Sequence, residues 1–414
     1  MAPPTVSVVV VSRGRPDALA TCLTGLGQLW YPRFEVVVVA DPAGLAAVAA
    51  HPLAGRVSGV PFDIANISAA RNLGIDRAAG EVVAFLDDDA VPEPTWLDHL
   101  TGPFADPEVA ATGGFVRGRN GISFQWRART VGPDGWAGAV AVPGTDPFVP
   151  DLAPGQAVKT EGTNMAVRRA VLARLGGFDP RFRFYLDETD LNLRLAAAGH
   201  RTVLVPMAQV HHGFAPSERR RADRMPLTLQ DIGASTAVFW SKHGPADAAA
   251  AERALIASER ARLLRHLQRG TCEPRDVRRL LSTLEAGLRD GASRTEAGHA
   301  VAPAPPWRAP PAPPDPCSVL VAGRRRAAVL ARARALRGEG AVVTALTLGP
   351  GARAHRAGMT AEGLWVQSGG LWGRSDRGDP RIARWTIAMR AEAEAARLTG
   401  LRSRGPAPPV IDLV

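Results

Sequence analysis

The chain has 414 residues, 46% hydrophobic and 22% charged, enough apolar material for two domains or three. No apolar run reaches the ~18 residues that span a bilayer, no basic flank leads into an apolar stretch and cleavage site, so no signal peptide is expected, and Cys22, Cys272 and Cys317 are too few and scattered for a disulfide scaffold or a Cys-based zinc site. The net charge of +10 is uneven: residues 1–214 carry 18 Lys+Arg against 21 Asp+Glu, so the excess lies in the second half, almost all of it arginine in a chain rich in Arg, Ala, Gly and Pro throughout; no nucleic-acid partner is read from it.

Val6–Val11 is a near-continuous β-branched run, the mark of a strand covered on both faces. Pro16 suits the first turn of a helix in which Leu19, Leu23, Leu26 and Trp30 recur at helical spacing. Phe34–Val39 is a second buried run. Ser68 is placed to cap a helix over Ala69–Ala79 closed by Gly80, and Val82–Leu86 follows as a strand. This βαβα order predicts a mostly parallel, doubly wound sheet with its ligand at the C-terminal ends of the strands. A short strand is expected at Val203–Val205. Residues 215–300 read as helical, chiefly over Ala246–Leu267 and Pro274–Arg289. Eight of the fifteen residues in Ala302–Pro316 are proline, which predicts an extended, semi-rigid tether. Beyond it, Ser318–Ala322 and Ala341–Leu348 read as strands, Arg324–Arg337 and Pro380–Leu398 as helices, and Gly369–Gly373 as turns. The expected division is 1–217, a helical extension over 218–300, a linker over 301–316 and a small α/β domain over 317–414, with the first part able to fold without the last.

The strand Val82–Leu86 runs into Asp87-Asp88-Asp89. Side chains alternate along a strand, so Asp87 and Asp89 tend to one face and Asp88 to the other. Adjacent carboxylates repel and are costly to desolvate without a counter-charge. Alone, the triplet fits either a site for a hard divalent cation or a solvated turn before Pro92. A second cluster, Asp187, Glu188 and Asp190, suits the positive end of a helix starting there; on that helix Asp187 and Asp190 share a face and Glu188 points elsewhere.

Taken together, Val8–Arg15, Glu35–Asp41, Asn66-Ile67-Ser68-Ala69-Ala70-Arg71-Asn72 and Phe85-Leu86-Asp87-Asp88-Asp89-Ala90-Val91-Pro92 resemble inverting family 2 glycosyltransferases of the GT-A fold. Glu161-Gly162-Thr163-Asn164-Met165, Gly176-Gly177-Phe178-Asp179 and Asp187-Glu188-Thr189-Asp190-Leu191 continue the resemblance, which covers residues 5–217. It implies a GT-A-type doubly wound, mostly parallel sheet, followed here by the helical extension and the small α/β domain. It also implies transfer of a sugar from a nucleoside diphosphate, UDP or dTDP, to a hydroxyl of a saccharide or lipid-linked acceptor.

By position in the resemblance, Asp87 and Asp89 would hold Mn²⁺ or Mg²⁺. His212, five residues before Ser217 and favoured over His211, would be a third ligand. Ser12, Asp41, Arg71, Asp87 and Asp88 would face the nucleotide sugar, and Asn164 and Asp190 the acceptor. Glu188 would be the general base, with Asp187 as its rival because the two acids stand in exchanged order. Trp126, Trp136 and Phe148 would either stack on a sugar or pin the loop-rich stretch 118–156. Arg219, Arg220, Arg221 and Arg224 suit an anionic leaflet or an ordinary solvated surface equally, placing the protein in the cytoplasm or at the inner face of the membrane. Residues 317–414 carry no activity motif and are expected to form an interaction or acceptor-selecting module. The alternative is a non-catalytic sugar-nucleotide-binding or scaffold protein on the same fold, which intact Asp87, Asp89 and Glu188 disfavour. The G-x-G-x-x-G turn of a nicotinamide-binding enzyme is absent.

Overall fold

The computed structural model describes residues 2–213, 218–245, 247–295, 298–308 and 317–414. The last residues of the first expected segment, 214–217, and the 309–316 part of the proline-rich stretch lie outside the described residues. Val6–Ser12 pairs in parallel with Phe34–Ala40 on one side and Val82–Asp87 on the other, and Val57–Pro61 extends this run. Beyond Val82–Asp87 the sheet continues through Met165–Arg168, Val109–Arg117, Arg201–His212 and Ala90–Pro92. Met165–Arg168 and Ala90–Pro92 are antiparallel to their neighbours, and the remaining pairs on this path are parallel. The sheet is thus mostly parallel and covered on both faces. Val6, Val8 and Val10 pack with Leu19, Leu23, Trp96 and Leu100. Val9, Val37 and Val39 pack with Ile75, Leu172 and Leu195 on the other side. The unbroken valine runs follow from this burial on two faces.

The helix before the acidic strand spans Ile67–Arg77. Asn66, not Ser68, is its cap: the Asn66 side chain accepts from Ala69 N at 3.0 Å, while the Ser68 hydroxyl is buried and donates to Phe182 O. Gly80 serves a close approach rather than the helix end, since a Cβ there would stand 2.6 Å from Ser7 N. The helical region holds Gln230–His243, a segment sequence periodicity did not single out, together with Ala248–Gln268 and Pro274–Ser293. None of the described helices is long and apolar enough to cross a membrane.

The C-terminal residues build a second sheet in the order Arg356–Met359, Trp365–Gly370, Val342–Gly349, Ser318–Gly323, Val410–Leu413, parallel except for its first pair. Of the expected turn Gly369–Gly373, Gly369 and Gly370 instead end the Trp365–Gly370 strand while Leu371 and Trp372 do turn, and the last helix starts only at Ile387, capped by Thr386. This sheet is docked against the first. Trp365 is fully buried in a cluster with Trp30, Val91 and Val342, which joins it to the edge of the first sheet at Ala90–Pro92. Trp365 Nε1 donates to Gln28 Oε1 at 3.1 Å, and Thr95 Oγ1 donates to Gly400 O at 2.6 Å. Lone tryptophans and glutamines in a sequence do not disclose such a contact, because the partner surface lies more than 300 positions away.

Candidate active site

A cleft of about 860 Å³ opens at the C-terminal ends of the parallel strands. Ser12, Arg71, Asp87, Asp89, Asp187, Glu188 and His212 all line it. The acidic strand end and the long Arg201–His212 strand supply one wall. Asp89 immediately precedes the Ala90–Pro92 strand, and His212 pairs in register with Ala90, so the two meet across a strand pair. One side-chain atom from each of Asp87, Asp89 and His212 lies within 4.8 Å of the others. His212 Nε2 is 3.1 Å from Asp89 Oδ1 and 4.0 Å from Asp87 Oδ2. Its other nitrogen, Nδ1, lies 3.1 Å from Gln125 Oε1, so a proton on Nδ1 would be accepted there and would leave Nε2 able to ligate a cation. Arg71 and Arg15 each approach one of these carboxylates at 3.4 Å, and one imidazole with two carboxylates could also hold a divalent cation. The donor set suits Mn²⁺, and Mg²⁺ less well. The Trp126 ring stacks on His212 with centroids 5.8 Å apart.

The facing wall carries Asp187 and Glu188 at the first turn of the Asp187–Ala197 helix. Tyr185 and Leu186, just before it, both adopt left-handed backbone conformations, with φ of 73° and 65°. Such conformations cost non-glycine residues roughly 1–3 kcal/mol each and persist where the surroundings demand them. Here they turn the chain so that the helix begins with its acids at the cleft. Asp187 is engaged from behind: Arg71 Nη1 donates to its Oδ2. The same guanidinium reaches Asp87 Oδ1 at 3.4 Å and Gly162 O at 3.1 Å, with the Phe85 and Phe178 rings beside it. Arg71 is 4% exposed and bridges the two acidic clusters, so its charge is spent within the wall. Glu188 is the more open acid, its side chain 17% exposed against 3% for Asp187. Lys159 Nζ donates to Glu188 Oε1 at 2.7 Å and also lies 3.6 Å from Glu161 Oε2, which Arg129 pairs in turn. Against the upward push of burial, Lys159 and Arg71 hold Glu188 well below the usual carboxylate range, so it is ionised. Burial pushes Asp187 upward, and Arg71 counters it.

Four expected residues lie outside the lining of the cleft. Asp88 is fully buried, with Arg15 Nη2 2.7 Å from its Oδ1; burial pushes its carboxyl up to about 7 against the pull of Arg15. Asp41 caps the Pro42–Ala50 helix and accepts from Gly14 N at 2.9 Å, holding the turn after the first strand. Asn164 is fully buried: its amide donates to Phe115 O and Ala208 O and accepts from Trp96 Nε1. It braces a sheet irregularity between Val205 and Gln209 rather than facing an acceptor. Asp190 is fully buried among Arg194, Lys242 and His243, one helical turn behind the acids that reach the cleft. Of the aromatics, Trp136 stands 46% exposed on the cleft wall, while Phe148 pairs its backbone with Leu204.

Sequence reasoning missed Lys159, Gln125 and Arg15. Only Lys159 carried a usable signal, as one of two lysines in an arginine-dominated chain, two positions before the Glu161 motif.

Residues 7–176 match the model of Glycosyl transferase family 2. The O-antigen biosynthesis protein RfbC of Myxococcus xanthus is 32% identical over 235 residues, which is 54% of this chain and 18% of that protein. The pre-mycofactocin glycosyltransferase of Mycobacterium tuberculosis is 28% identical over 216 residues, 50% of this chain and 42% of the relative. The chain thus spans less than half the length of both. Among solved structures, the mannosyltransferase PcManGT from Pyrobaculum calidifontis in complex with GDP-Man and Mn²⁺ superposes with a TM-score of 0.42 at 20% identity, over 71% of this chain and 90% of that one. The stretch similar to Glycosyl transferase family 2, residues 7–176, contains the acidic triplet, Arg71 and Lys159.

Proposed function

We propose that the protein is a metal-dependent inverting glycosyltransferase that moves a sugar from a nucleoside diphosphate, UDP or dTDP, to a hydroxyl of a saccharide or lipid-linked acceptor. One observation carries the reading: a single cleft sets a cation-binding group, Asp87, Asp89 and His212, opposite an ionised, partly open carboxylate, Glu188. When bound there, a divalent cation would act as a Lewis acid toward the leaving diphosphate. Glu188 accepts the proton of the acceptor hydroxyl as that oxygen attacks the anomeric carbon from the opposite side. Lys159 fixes the Glu188 carboxylate and keeps it ionised until the proton arrives. Arg71 holds Asp87 and Asp187 in their relative places, so the two walls keep their spacing while charge shifts between them. Trp136 and Tyr185, both substantially exposed on the cleft, offer apolar faces to a sugar ring. The similarity to the O-antigen biosynthesis protein of Myxococcus xanthus supports a saccharide acceptor and a place in polysaccharide biosynthesis. Arg219 and Arg220 line the cleft, Arg219 paired with Asp231, so contact with an anionic leaflet would fall to the exposed Arg221 and Arg224.

The reading is tested with a panel of UDP-, dTDP- and GDP-sugars, assayed for nucleotide release with Mn²⁺, with Mg²⁺ and after chelation. Turnover of at least one donor is expected, lost in excess EDTA and restored by Mn²⁺; Asp89→Asn should behave as the chelated enzyme does while keeping the wild-type melting temperature within a few degrees. Donor binding with no transfer to any acceptor or water would favour a non-catalytic binding protein instead.

A further inference from the structure

Behind the cation-binding group, on the face of the strand pair turned away from the cleft, lies a buried chain of polar contacts that begins in the C-terminal sheet. Arg402 follows the Ile387–Leu398 helix and is 3% exposed. Its fork grips Glu93 with both arms, Nε to Oε2 at 2.7 Å and Nη2 to Oε1 at 2.9 Å, and its third nitrogen donates to Thr344 Oγ1 at 2.9 Å. Its guanidinium lies 3.8 Å from the Trp365 ring centroid, and the His211 ring packs against the same tryptophan at 4.9 Å. Glu93 Oε1 is 2.7 Å from His211 Nε2. Glu93 also donates its backbone N–H to Gln209 O at 3.1 Å.

The register gives this chain its reach. Glu93 follows the Ala90–Pro92 strand, whose start is joined to Asp89. His211 precedes His212 and stands opposite Val91, as His212 stands opposite Ala90. Successive side chains on a strand face opposite ways, so His211 points to the C-terminal sheet when His212 points to the cleft. Gly213 N donates to Asp89 O at 2.7 Å, closing the same strand pair on its far side. The Glu93–His211 contact thus ties together, across the sheet edge, the two strands that separately deliver Asp89 and His212. Edge pairs of three residues are short and have few ladder bonds of their own.

We propose that Arg402 is a positioning residue for the cation site: by gripping Glu93 it fixes His211, and through the paired strands it sets the spacing between Asp89 and His212. This gives the C-terminal sheet a role in the reaction without a residue in the cleft. The inference rests on the metal-binding reading of Asp87, Asp89 and His212.

The test measures binding of Mn²⁺ alone to the full chain, by electron paramagnetic resonance titration of the free ion, beside thermal unfolding. Arg402→Met is expected to weaken Mn²⁺ binding about tenfold, the lower end of the range seen when partners behind a metal ligand are removed. Arg402→Lys keeps the buried charge but not the two-pronged grip, so it should fold even if Arg402→Met does not, and its affinity should fall between the two. Gln28→Ala is the control for docking alone: Gln28 bonds Trp365 and Gly363 at the same interface but does not touch Glu93 or His211. It should lower the melting temperature and leave Mn²⁺ affinity unchanged. Wild-type affinity in Arg402→Lys, or equal weakening in Gln28→Ala, overturns the positioning role. If the wild-type chain binds no Mn²⁺, or Asp89→Asn binds it as well, the metal reading itself fails and this inference with it.

Discussion

Val6–Ser12 passes through Arg13-Gly14-Arg15 into the Pro16–Leu26 helix, and Ser318–Gly323 passes through Arg324-Arg325 into the Arg326–Gly338 helix. Both strands are central in parallel sheets, and both turns are arginine-rich. At the first turn, Arg15 faces Asp88 and Asp89 from the adjacent Val82–Asp87 strand end, and the crevice beyond them stays open. At the second, the neighbouring strand is Val410–Leu413, which brings no run of acids, and the backbone packs closely against the turn: a Cβ on Gly323 would meet Val414 O at 2.2 Å. Arg324, Arg325 and Arg326 are exposed instead. Topology therefore supplies the same position twice, but only the sheet whose neighbouring strand ends in carboxylates makes a site of it. The second sheet contributes from its flank, through Trp365 and Arg402, rather than from its crevice.

Metal removal or Asp89→Asn, already described, should have the largest effect, because it strikes the acids that distinguish the first crevice. Next comes the opposing wall. Glu188→Gln should keep Mn²⁺ and donor binding but cut transfer about 10²–10⁴-fold, the usual share of a general base. Asp187→Asn should be milder in the chemical step, since Asp187 is turned into Arg71 and is hardly exposed. Transfer rate at saturating donor, with nucleotide affinity as control, decides between them: a dead Asp187→Asn beside an active Glu188→Gln would exchange their roles. Normal rates in both would end the proposed mechanism.

Removing residues 317–414 probes the other half of the comparison. It would expose Trp30 and Val91 and strip Glu93 of Arg402. Unpairing one buried ion pair costs about 3–5 kcal/mol, so the truncated chain should unfold at much lower denaturant or fail to accumulate. A truncation as stable as the full chain would show that the docked sheet is dispensable to the fold.

How much of this was readable in advance depended on distance along the chain. The valine strands, the acidic triplet and the helix opening at Asp187 are local patterns, and sequence periodicity places them. The side of a strand is harder. His212 and His211 separate to opposite faces because Arg201–His212 runs for twelve residues, whereas apolar patterning suggested a strand of three. Asn164 sits in the Glu161–Met165 motif but is consumed by backbone groups of two other strands, beside the register shift between Val205 and Gln209. Asp190 lies two residues from Glu188 and is also a carboxylate, yet a two-residue step turns about 200° round the helix and carries it from cleft to core. Lys159, which controls Glu188, and Arg402, which grips Glu93, pair across 29 and 309 positions, and no local pattern marks such partners.

The buried position of Asp190 makes a pH test. Burial alone would raise its carboxyl, but the His243 hydrogen bond, Arg194 and Lys242 hold it well below the usual range. Its folded pKa is therefore below the unfolded value of about 3.9, so its contribution to stability is complete above that pH and is lost as the pH falls through the folded pKa. Asp190→Asn should lower the melting temperature by a constant margin from about pH 8 down to about pH 5, and the margin should shrink only as the pH falls below about 4. A margin that does not shrink below about pH 4 would mean the loss comes from packing rather than from the charge.

The smallest effect is expected at the second arginine turn, and it sharpens the comparison most directly. Arg325 is exposed and caps its helix only through its backbone, with no side-chain cap bond. Exposed substitutions of this kind usually change stability by less than about 0.5 kcal/mol. Arg325→Ala should therefore leave the melting temperature, Mn²⁺ affinity and transfer rate where they are. Arg15→Ala is the matching change in the first sheet: it leaves Asp88, fully buried, without the guanidinium 2.7 Å away, and takes a cation from beside Asp89. The protein must then protonate Asp88 or open the strand end to water, and either response disturbs the acids next to it. Melting temperature and Mn²⁺ affinity should both fall in Arg15→Ala. Should Arg325→Ala impair transfer as strongly as Arg15→Ala does, the second crevice would have to be counted as part of the working site, and the distinction between the two sheets would not stand.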